Sequence, residues 1–393
     1  MSVASTERAR CIGRYRVLDR VASGGMAEVF RARVVQTDGQ GPVVALKRVL
    51  DAYADDPAFV RMLVAEYQLS SLLDHPNIAA IYELLRAGDA YFIAMEYVDG
   101  KDLRSTALRL RERGAYFDVA DAVYLMARAL DGLHHAHTAC SADGRPLQLV
   151  HRDFSPSNIL LGYDGSVKLI DFGIAKSSVQ KDKTQTGIIK GKVRYMSPEQ
   201  ANGDVRLTGQ SDVFSAGSVL YELLGRAAAF SAPNEVELIY TVRRAEPRPL
   251  ASLAPHVPSG LVQIVERAMT RARRERFADA AQFRDALVEF LRAFAPGYRR
   301  SRLANIVRTA WATEIDNELA ALLSFVASEH DEAIPADDLL ASASVGDSID
   351  AASSMVAIPD ADVVLEETAT ETLPARDPQL SSDATSSMRK PRT

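Results

Sequence analysis

The sequence predicts an α+β protein in which a small, sheet-rich lobe precedes a larger helical one. Three observations carry this. β-Branched and apolar runs broken by glycine-rich turns fill the first quarter of the chain, whereas from residue 102 onward apolar residues recur at helical spacing. Strands followed by helices, rather than alternating with them, is the α+β order. The chain has 393 residues, which at roughly 100–200 residues per domain suggests two or three domains.

The elements follow in order. Tyr15–Ala22, Val29–Val35 and Val43–Leu50 read as strands separated by Gly-rich or Asp-Gly turns. Pro57–Leu73 reads as a helix, because Phe59, Met62, Leu63, Tyr67 and Leu69 keep helical spacing and Pro57 suits a first turn. Ile78–Leu85 and Tyr91–Tyr97 read as strands around Gly88-Asp89. Helical periodicity then runs over 118–138, 209–224, 259–270 and 279–294. Asp143-Gly144, inside Ala139–Gln148, marks either a short hairpin before His151 or a plain surface loop. A last amphipathic stretch, 298–328, carries Leu303, Ile306, Val307, Trp311, Ile315, Leu319, Leu322 and Leu323. Packing on the large lobe is favoured for it over a partner-binding face. No repeat has a solenoid period.

Composition narrows the classes. The 47% apolar and 25% charged residues exclude a collagen-like chain, a wholly disordered one and a disulfide scaffold. The net charge is −6, and residues 331–393 alone hold thirteen acids and four bases. That acidic tail, rich in Ala, Ser and Thr, is expected to be disordered, either inert or phosphorylated. The rest is near neutrality, so no nucleic-acid footprint is expected. Cys11 and Cys140 form no Cys-x-x-Cys pair, which excludes zinc ribbons and thioredoxin-type sites and suits a reducing compartment. No run approaches the ~18 apolar residues of a membrane span. Met1–Arg16 lacks the apolar centre of a secretory signal, and a cytoplasmic location is expected.

Several segments carry chemistry. Val21, Ala22, Ser23, Gly24, Gly25, Met26, Ala27, Glu28 and Val29 join two strands, and small residues there let backbone N–H groups approach phosphate oxygens. Taken alone, the segment reads equally as a bare hairpin. It is not the P-loop of an NTPase, because no Gly-Lys-Ser/Thr follows. Lys47 ends the third strand run, and Glu66 lies nineteen residues later on the helix. Each alone reads as a solvated surface residue. Asp153, in His151-Arg152-Asp153-Phe154-Ser155-Pro156-Ser157-Asn158, is placed to accept a hydroxyl proton. Asn158 and Asp171 are hard oxygen donors suited to Mg²⁺ with substrate phosphates.

In this order the segments resemble the Hanks-type protein serine/threonine kinases, in their bacterial branch. The resemblance spans residues 13–295 and runs through the Gly-rich loop, Lys47, Glu66, His75-Pro76-Asn77, Asp153, Asn158, Asp171-Phe172-Gly173, Ser197-Pro198-Glu199, Asp212 and Arg276. It implies a bilobal kinase fold: an N-lobe of about 13–95, a C-lobe of about 98–295, a helical extension at 298–328 and the tail at 331–393. It implies transfer of the γ-phosphate of ATP to serine and threonine hydroxyls of proteins, with Mg²⁺ or Mn²⁺. By the resemblance, Lys47 held by Glu66 contacts the phosphates, Asn158 and Asp171 hold metal, and Asp153 orients the acceptor. Glu96 to Val98 would bond adenine through backbone groups, and Asp102 would take the ribose. Val21, Val29, Ala45, Leu160 and Ile170 would enclose the purine, with Met95 as gatekeeper. Glu199 would pair with Arg276, and Asp212 would brace the catalytic loop.

Three positions depart from the family pattern. Ala22 stands where a glycine is expected, and its methyl is tolerable unless φ is positive. Ser155 replaces a lysine that steadies the transferring phosphate, and Lys192 replaces a threonine that touches the catalytic Asp. The two groups are expected to have traded places, with Lys192 supplying the ammonium and Ser155 the hydroxyl. If Lys192 points to solvent instead, the kinase is weak or dead. Arg152 before Asp153 implies control through the activation segment, with autophosphorylation at Thr184 and Thr186, in trans if the chain self-associates. The competing classes are a pseudokinase that binds nucleotide or partners, and a small-molecule kinase. The first is disfavoured because Lys47, Glu66, Asp153, Asn158 and Asp171 are all present. The second is disfavoured by the Ser197-Pro198-Glu199 segment and Asp212.

Overall fold

The computed structural model describes residues 11–24, 27–36, 41–50, 56–172, 192–204 and 206–329, with side chains to residue 320. Expectations for Gly25, Met26, Gly173, Thr184, Thr186 and the 331–393 tail lie outside the described residues. The amino-terminal lobe is one antiparallel sheet in the order β1-β2-β3-β4-β6-β5. Its strands are β1 (Cys11–Ile12), β2 (Tyr15–Ser23), β3 (Ala27–Val34), β4 (Val43–Val49), β5 (Ile81–Ala87) and β6 (Ala90–Glu96). Alternation along β4 sorts its residues between two faces. Val44 and Leu46 bury against Tyr15, Ala32, Phe92 and Ala94. Ala45, Lys47 and Val49 share the opposite face, where Lys47 sits across from Val29 and Ile93. Helix α1 (Pro57–Ser70) covers part of that face, packing Phe59 and Leu63 on Val49, Leu84 and Ile93. The strand pattern therefore places Lys47 under the helix that carries Glu66.

Helix α1 starts where the sequence indicates, with the Asp56 carboxylate accepting the Ala58 N–H at 2.8 Å. It stops at Ser70, three residues before the expected Leu73, because the chain turns there to bury Leu73 at 3% exposure. The expected strand from Ile78 begins instead at Ile81. Asn77 and Ile78 are diverted to the other lobe, where the Leu169 N–H donates to the Asn77 carbonyl at 2.8 Å and Asn77 Nδ2 donates to the Val167 carbonyl at 2.8 Å. The His75-Pro76-Asn77 segment thus ties α1 to the second lobe.

That lobe opens with a small sheet, β7 (Gly100–Asp102), β8 (Ile159–Gly162) and β9 (Val167–Leu169). Its helices include α2 (Leu103–Glu112), α3 (Val119–Thr138), α4 (Pro198–Asn202), α5 (Gly209–Gly225), α6 (Glu235–Arg244), α7 (Leu250–Leu253), α8 (Ser259–Ala268) and α9 (Ala280–Phe294). The helices expected at 118–138, 209–224 and 279–294 appear within a residue or so, and that at 259–270 ends two residues early. Helix α3 begins at a reciprocal capping box between Asp118 and Asp121. The core is built from Leu125, Met126, Leu130 and Leu133 of α3, Phe214 and Leu220 of α5, and Phe283 of α9. The Asp143-Gly144 turn is a short hairpin, closed by Ser141 N–H to the Arg145 carbonyl at 2.8 Å.

The 298–328 stretch forms two helices, α10 (Arg300–Ala310) and α11 (Ala312–Glu329), broken at Trp311. Leu303, Val307 and Ala310 join the helical core, as the packing reading expects. Leu319 does not join it and stays 55% exposed. Trp311 is the anchor. Its Nε1–H donates to Thr106 Oγ1 at 3.2 Å, and the Arg109 guanidinium lies 4.2 Å from its ring centre. Arg109–Glu314 and Lys101–Glu318 pairs, both at 2.5 Å, flank it. Trp311→Ala would remove an 8%-exposed indole. The expected cost is about 3–5 kcal/mol, read as a lowered urea midpoint with unchanged far-ultraviolet circular dichroism of the remaining fold at low denaturant.

Candidate active site

The site is assembled on one buried carboxylate. Asp212, in the first turn of α5, is fully buried and accepts the backbone N–H groups of His151 and Arg152 at 2.7 and 2.9 Å. Its Oδ2 also lies 2.8 Å from His137 Nε2. Two adjacent peptide groups are thereby held, and Arg152 is kept at φ 62°, in the left-handed region disfavoured for a side-chain-bearing residue. The chain then swings Asp153 toward the cleft between the lobes.

Two cationic or donor groups converge on Asp153. Asn158 Nδ2 donates to Asp153 Oδ2 at 2.8 Å and to its carbonyl at 2.7 Å, and Lys192 Nζ donates to the same Oδ2 at 2.6 Å. Lys192 therefore reaches the loop across 39 positions of sequence. The Ser155 hydroxyl does not do what the sequence suggested. Ser155 is 2% exposed, and its Oγ finds no hydrogen-bond partner among the described residues. Extended backbone at Ser155 (φ −153°), just before the Pro156–Asn158 turn, sends the side chain inward, and the Asn158 amide holds Asp153 instead.

Lys47 Nζ bonds Asp171 Oδ1 at 2.5 Å. Glu66, expected to hold Lys47, lines a cavity of about 20 Å³ together with Lys47, Met95, Asp171 and Phe172. Asp171 itself has φ 57°, a second left-handed residue beside the cleft. Behind it, Phe172 packs 4.7 Å from the His151 ring and against Leu73 and Ile78.

The other expected residues are distributed around this centre. Ala22 lies opposite Val29, Ala45 opposite Met95, and the Ala22 strand pair carries a register shift at Val21, which is 44% exposed. Ser23 pairs with Glu28 across the turn, which Gly24 N–H closes by donating to the Ala27 carbonyl at 2.9 Å. Glu28 is engaged on the sheet by Arg20 at 2.9 Å. Glu96 to Val98 join β6 to β7. The Glu96 carboxylate is held by Lys168 at 2.7 Å, a contact across 72 positions that no sequence signal announced. Asp102 and Leu160 lie in one row of the small sheet, and the Asp102 carboxylate caps α2 by accepting Ser105 N–H at 2.9 Å. Ile170 donates its N–H to the Asn158 carbonyl at 3.1 Å.

Asn158 and Asp171 together offer a carboxylate and an amide. With the Asn158 amide nitrogen committed to Asp153, its carbonyl oxygen is the ligand atom left. No cluster of three or more His, Cys, Asp or Glu occurs among the described residues. Two hard oxygen donors, without a complete protein cage, fit a divalent ion that keeps water and phosphate ligands.

Glu199 and Arg276 form the second buried charge pair, at 2.8 and 2.9 Å through both guanidinium ends. Ser211 Oγ donates to the same carboxylate at 2.7 Å. Burial works to raise Glu199, but Arg276 and Ser211 outweigh it and hold the carboxyl below its usual range.

This fold and site define the two-lobed protein kinase class. Residues 15–287 match the protein kinase domain family. The chain is 40% identical over 280 residues to tyrosine-protein kinase MasK of Myxococcus xanthus, covering 71% of this chain and 43% of that one. It is 35% identical over 262 residues to serine/threonine-protein kinase PrkC of Bacillus subtilis, covering 67% and 38%. The crystal structure of the Mycobacterium tuberculosis PknI kinase domain superposes with a TM-score of 0.55 at 25% identity, covering 73% of this chain and 98% of that one. The chain belongs to the protein kinase family, in its bacterial Hanks-type branch. It spans about two fifths of the length of the two curated relatives. The family uses ATP with a divalent metal. No helix among the described residues is long and apolar enough to cross a membrane.

The Glu199–Arg276 pair predicts an acid limb in stability. A carboxyl held below its unfolded value, 4.5 for glutamate, stabilises the fold above that pH, and the contribution is lost as pH falls through the folded value. Arg276→Met strands a buried carboxylate and should cost about 3–5 kcal/mol at pH 7, with a smaller deficit at pH 4. Urea midpoints at the two pH values check both points.

Proposed function

We propose that this chain is an ATP-dependent serine/threonine protein kinase, with residues 13–295 as its catalytic domain and 298–328 as a brace on the large lobe. The convergence of Asn158 and Lys192 on one oxygen of Asp153 carries the reading. Phosphoryl transfer asks a protein chiefly for positioning and charge stabilisation. Asp153 orients the acceptor hydroxyl and takes its proton. Asn158 fixes the carboxylate. Lys192 places a cation beside the acceptor, in the role the family gives to a lysine at 155. Lys47 carries positive charge to the α- and β-phosphates, and Val29, Ala45, Leu160 and Ile170 enclose the purine. Asn158 and Asp171 would hold Mg²⁺, which supplies charge neutralisation on the phosphates. A cytoplasmic setting provides the ATP. The Arg152 Nε is buried without a hydrogen-bond partner among the described residues. This supports a phosphate on the activation segment, at Thr184 or Thr186, as its counter-charge, placed there in trans by a second copy.

A tyrosine acceptor is the second reading, favoured by the name of the relative that is 40% identical. Phosphoamino-acid analysis after incubation with radiolabelled ATP and Mg²⁺ decides between them. Phosphoserine and phosphothreonine are expected, phosphotyrosine alone would establish the second reading, and no incorporation would indicate a pseudokinase. Thr184→Ala with Thr186→Ala should abolish most self-labelling and lower activity toward a protein substrate.

The two unusual residues should separate cleanly. Lys192→Met is expected to slow transfer by about 2–4 kcal/mol, the scale of one preorganised electrostatic donor. Ser155→Ala removes a hydroxyl without a partner and should change the rate by no more than about twofold. Single-turnover rates of both variants test this, and equal losses would restore Ser155 to the catalytic set.

A further inference from the structure

A cavity of about 250 Å³ opens beside the catalytic loop at Pro156. Four arginines line it: Arg104 and Arg111 from α2, Arg194 from the Val193–Tyr195 turn, and Arg226 just after α5. Among the described residues, no ion pair engages any of the four. Arg194 Nε is buried without a hydrogen-bond partner, and the Arg226 guanidinium is stacked 3.9 Å from the centre of the Tyr116 ring. The single carboxylate in the lining, Glu222, already accepts the Tyr195 hydroxyl at 2.7 Å. A concave site with this excess of guanidinium groups is matched to carboxylates. Its position is specific. Pro156 lies three residues after Asp153, and Arg194 lies two residues after Lys192, whose ammonium bonds Asp153. An acceptor hydroxyl at Asp153 would therefore have its flanking side chains at this cavity.

We propose that the cavity recognises acidic residues flanking the acceptor and that one such acceptor is this chain's own segment Glu366-Glu367-Thr368-Ala369-Thr370-Glu371-Thr372. The inference rests on the kinase reading. The segment sets three hydroxyls among three carboxylates, in a stretch with thirteen acids and four bases. In the reaction, a threonine oxygen bonds to the γ-phosphorus of ATP, the bond from that phosphorus to the β,γ-bridging oxygen breaks, ADP departs and the hydroxyl proton passes to Asp153.

The test uses the full chain. Arg104 and Arg111 are exposed, so Arg104→Glu with Arg111→Glu should leave the fold intact. Binding is read by fluorescence anisotropy with a labelled synthetic peptide of residues 362–376, and with the same peptide carrying Asn and Gln in place of Asp and Glu. The host carries Glu366→Gln, Glu367→Gln and Glu371→Gln, so that its own segment does not compete. The acidic peptide should bind at least about tenfold tighter than its amide counterpart, and the arginine reversals should erase that ratio. Equal binding of the two peptides, or a ratio unchanged by the reversals, overturns the pocket. Phosphosite mapping of the otherwise unsubstituted chain with Mg²⁺ and ATP should find Thr368, Thr370 or Thr372 modified, about tenfold less in the arginine variant. Labelling of the activation segment without any at these threonines overturns the assigned acceptor. Absence of labelling on every acceptor, with the binding ratio intact, ends the kinase reading while upholding the pocket.

Discussion

Everything in the cleft depends on the burial of Asp212. A carboxylate at zero exposure is costly unless its lone pairs are filled, and here they are filled by two consecutive backbone N–H groups and a histidine ring. The same bonds hold Arg152 in a left-handed conformation that the free chain would avoid. Through them the rigid helix α5 transmits its position to Asp153. The loop carrying the chemistry owes its geometry to the helical core beneath it, more than to its own residues.

On that base, the charge arrangement around Asp153 is unusual in its connectivity and ordinary in its physics. A lysine from the activation segment brings its ammonium to Asp153, whereas the family pattern has its lysine in the catalytic loop. A cation on a long stem can reach one carboxylate from either origin, because the field depends on where the charge ends and hardly on where the stem begins. A hydroxyl on a short side chain has no such latitude. Ser155 is turned inward by its extended backbone and contributes packing, and the amide of Asn158 does the holding.

The extension shows how a surface segment becomes part of a domain. Trp311 buries its ring between α2 and the two terminal helices, and its N–H finds Thr106 Oγ1. Arg109 stacks on the ring and pairs with Glu314, so one guanidinium serves both helices. Lys101, at the start of the small sheet, pairs with Glu318 and links the extension to the connection between the lobes.

Local chemistry was legible in the sequence because it depends on spacing. Helices α3, α5 and α9 announced themselves by apolar periodicity, the strands by β-branched runs, and Lys47, Asp153, Asn158, Asp171, Glu199, Asp212 and Arg276 by the order of their motifs. Contacts between distant positions were legible only in part. The Lys192–Asp153 bond followed from the missing family residues, whereas Lys168–Glu96, Lys47–Asp171 and the orphaned Ser155 hydroxyl had no signal, since each depends on how separate elements pack. The four-arginine cavity is of the same kind: Arg104, Arg111, Arg194 and Arg226 are scattered along the chain and share a wall only after α2 and α5 pack around the catalytic loop. The sequence by itself determined which side chains are present and which elements carry them. Tertiary structure decided which charges meet, because ion pairs and buried hydrogen bonds are selected by distances of a few ångströms that no one-dimensional pattern encodes.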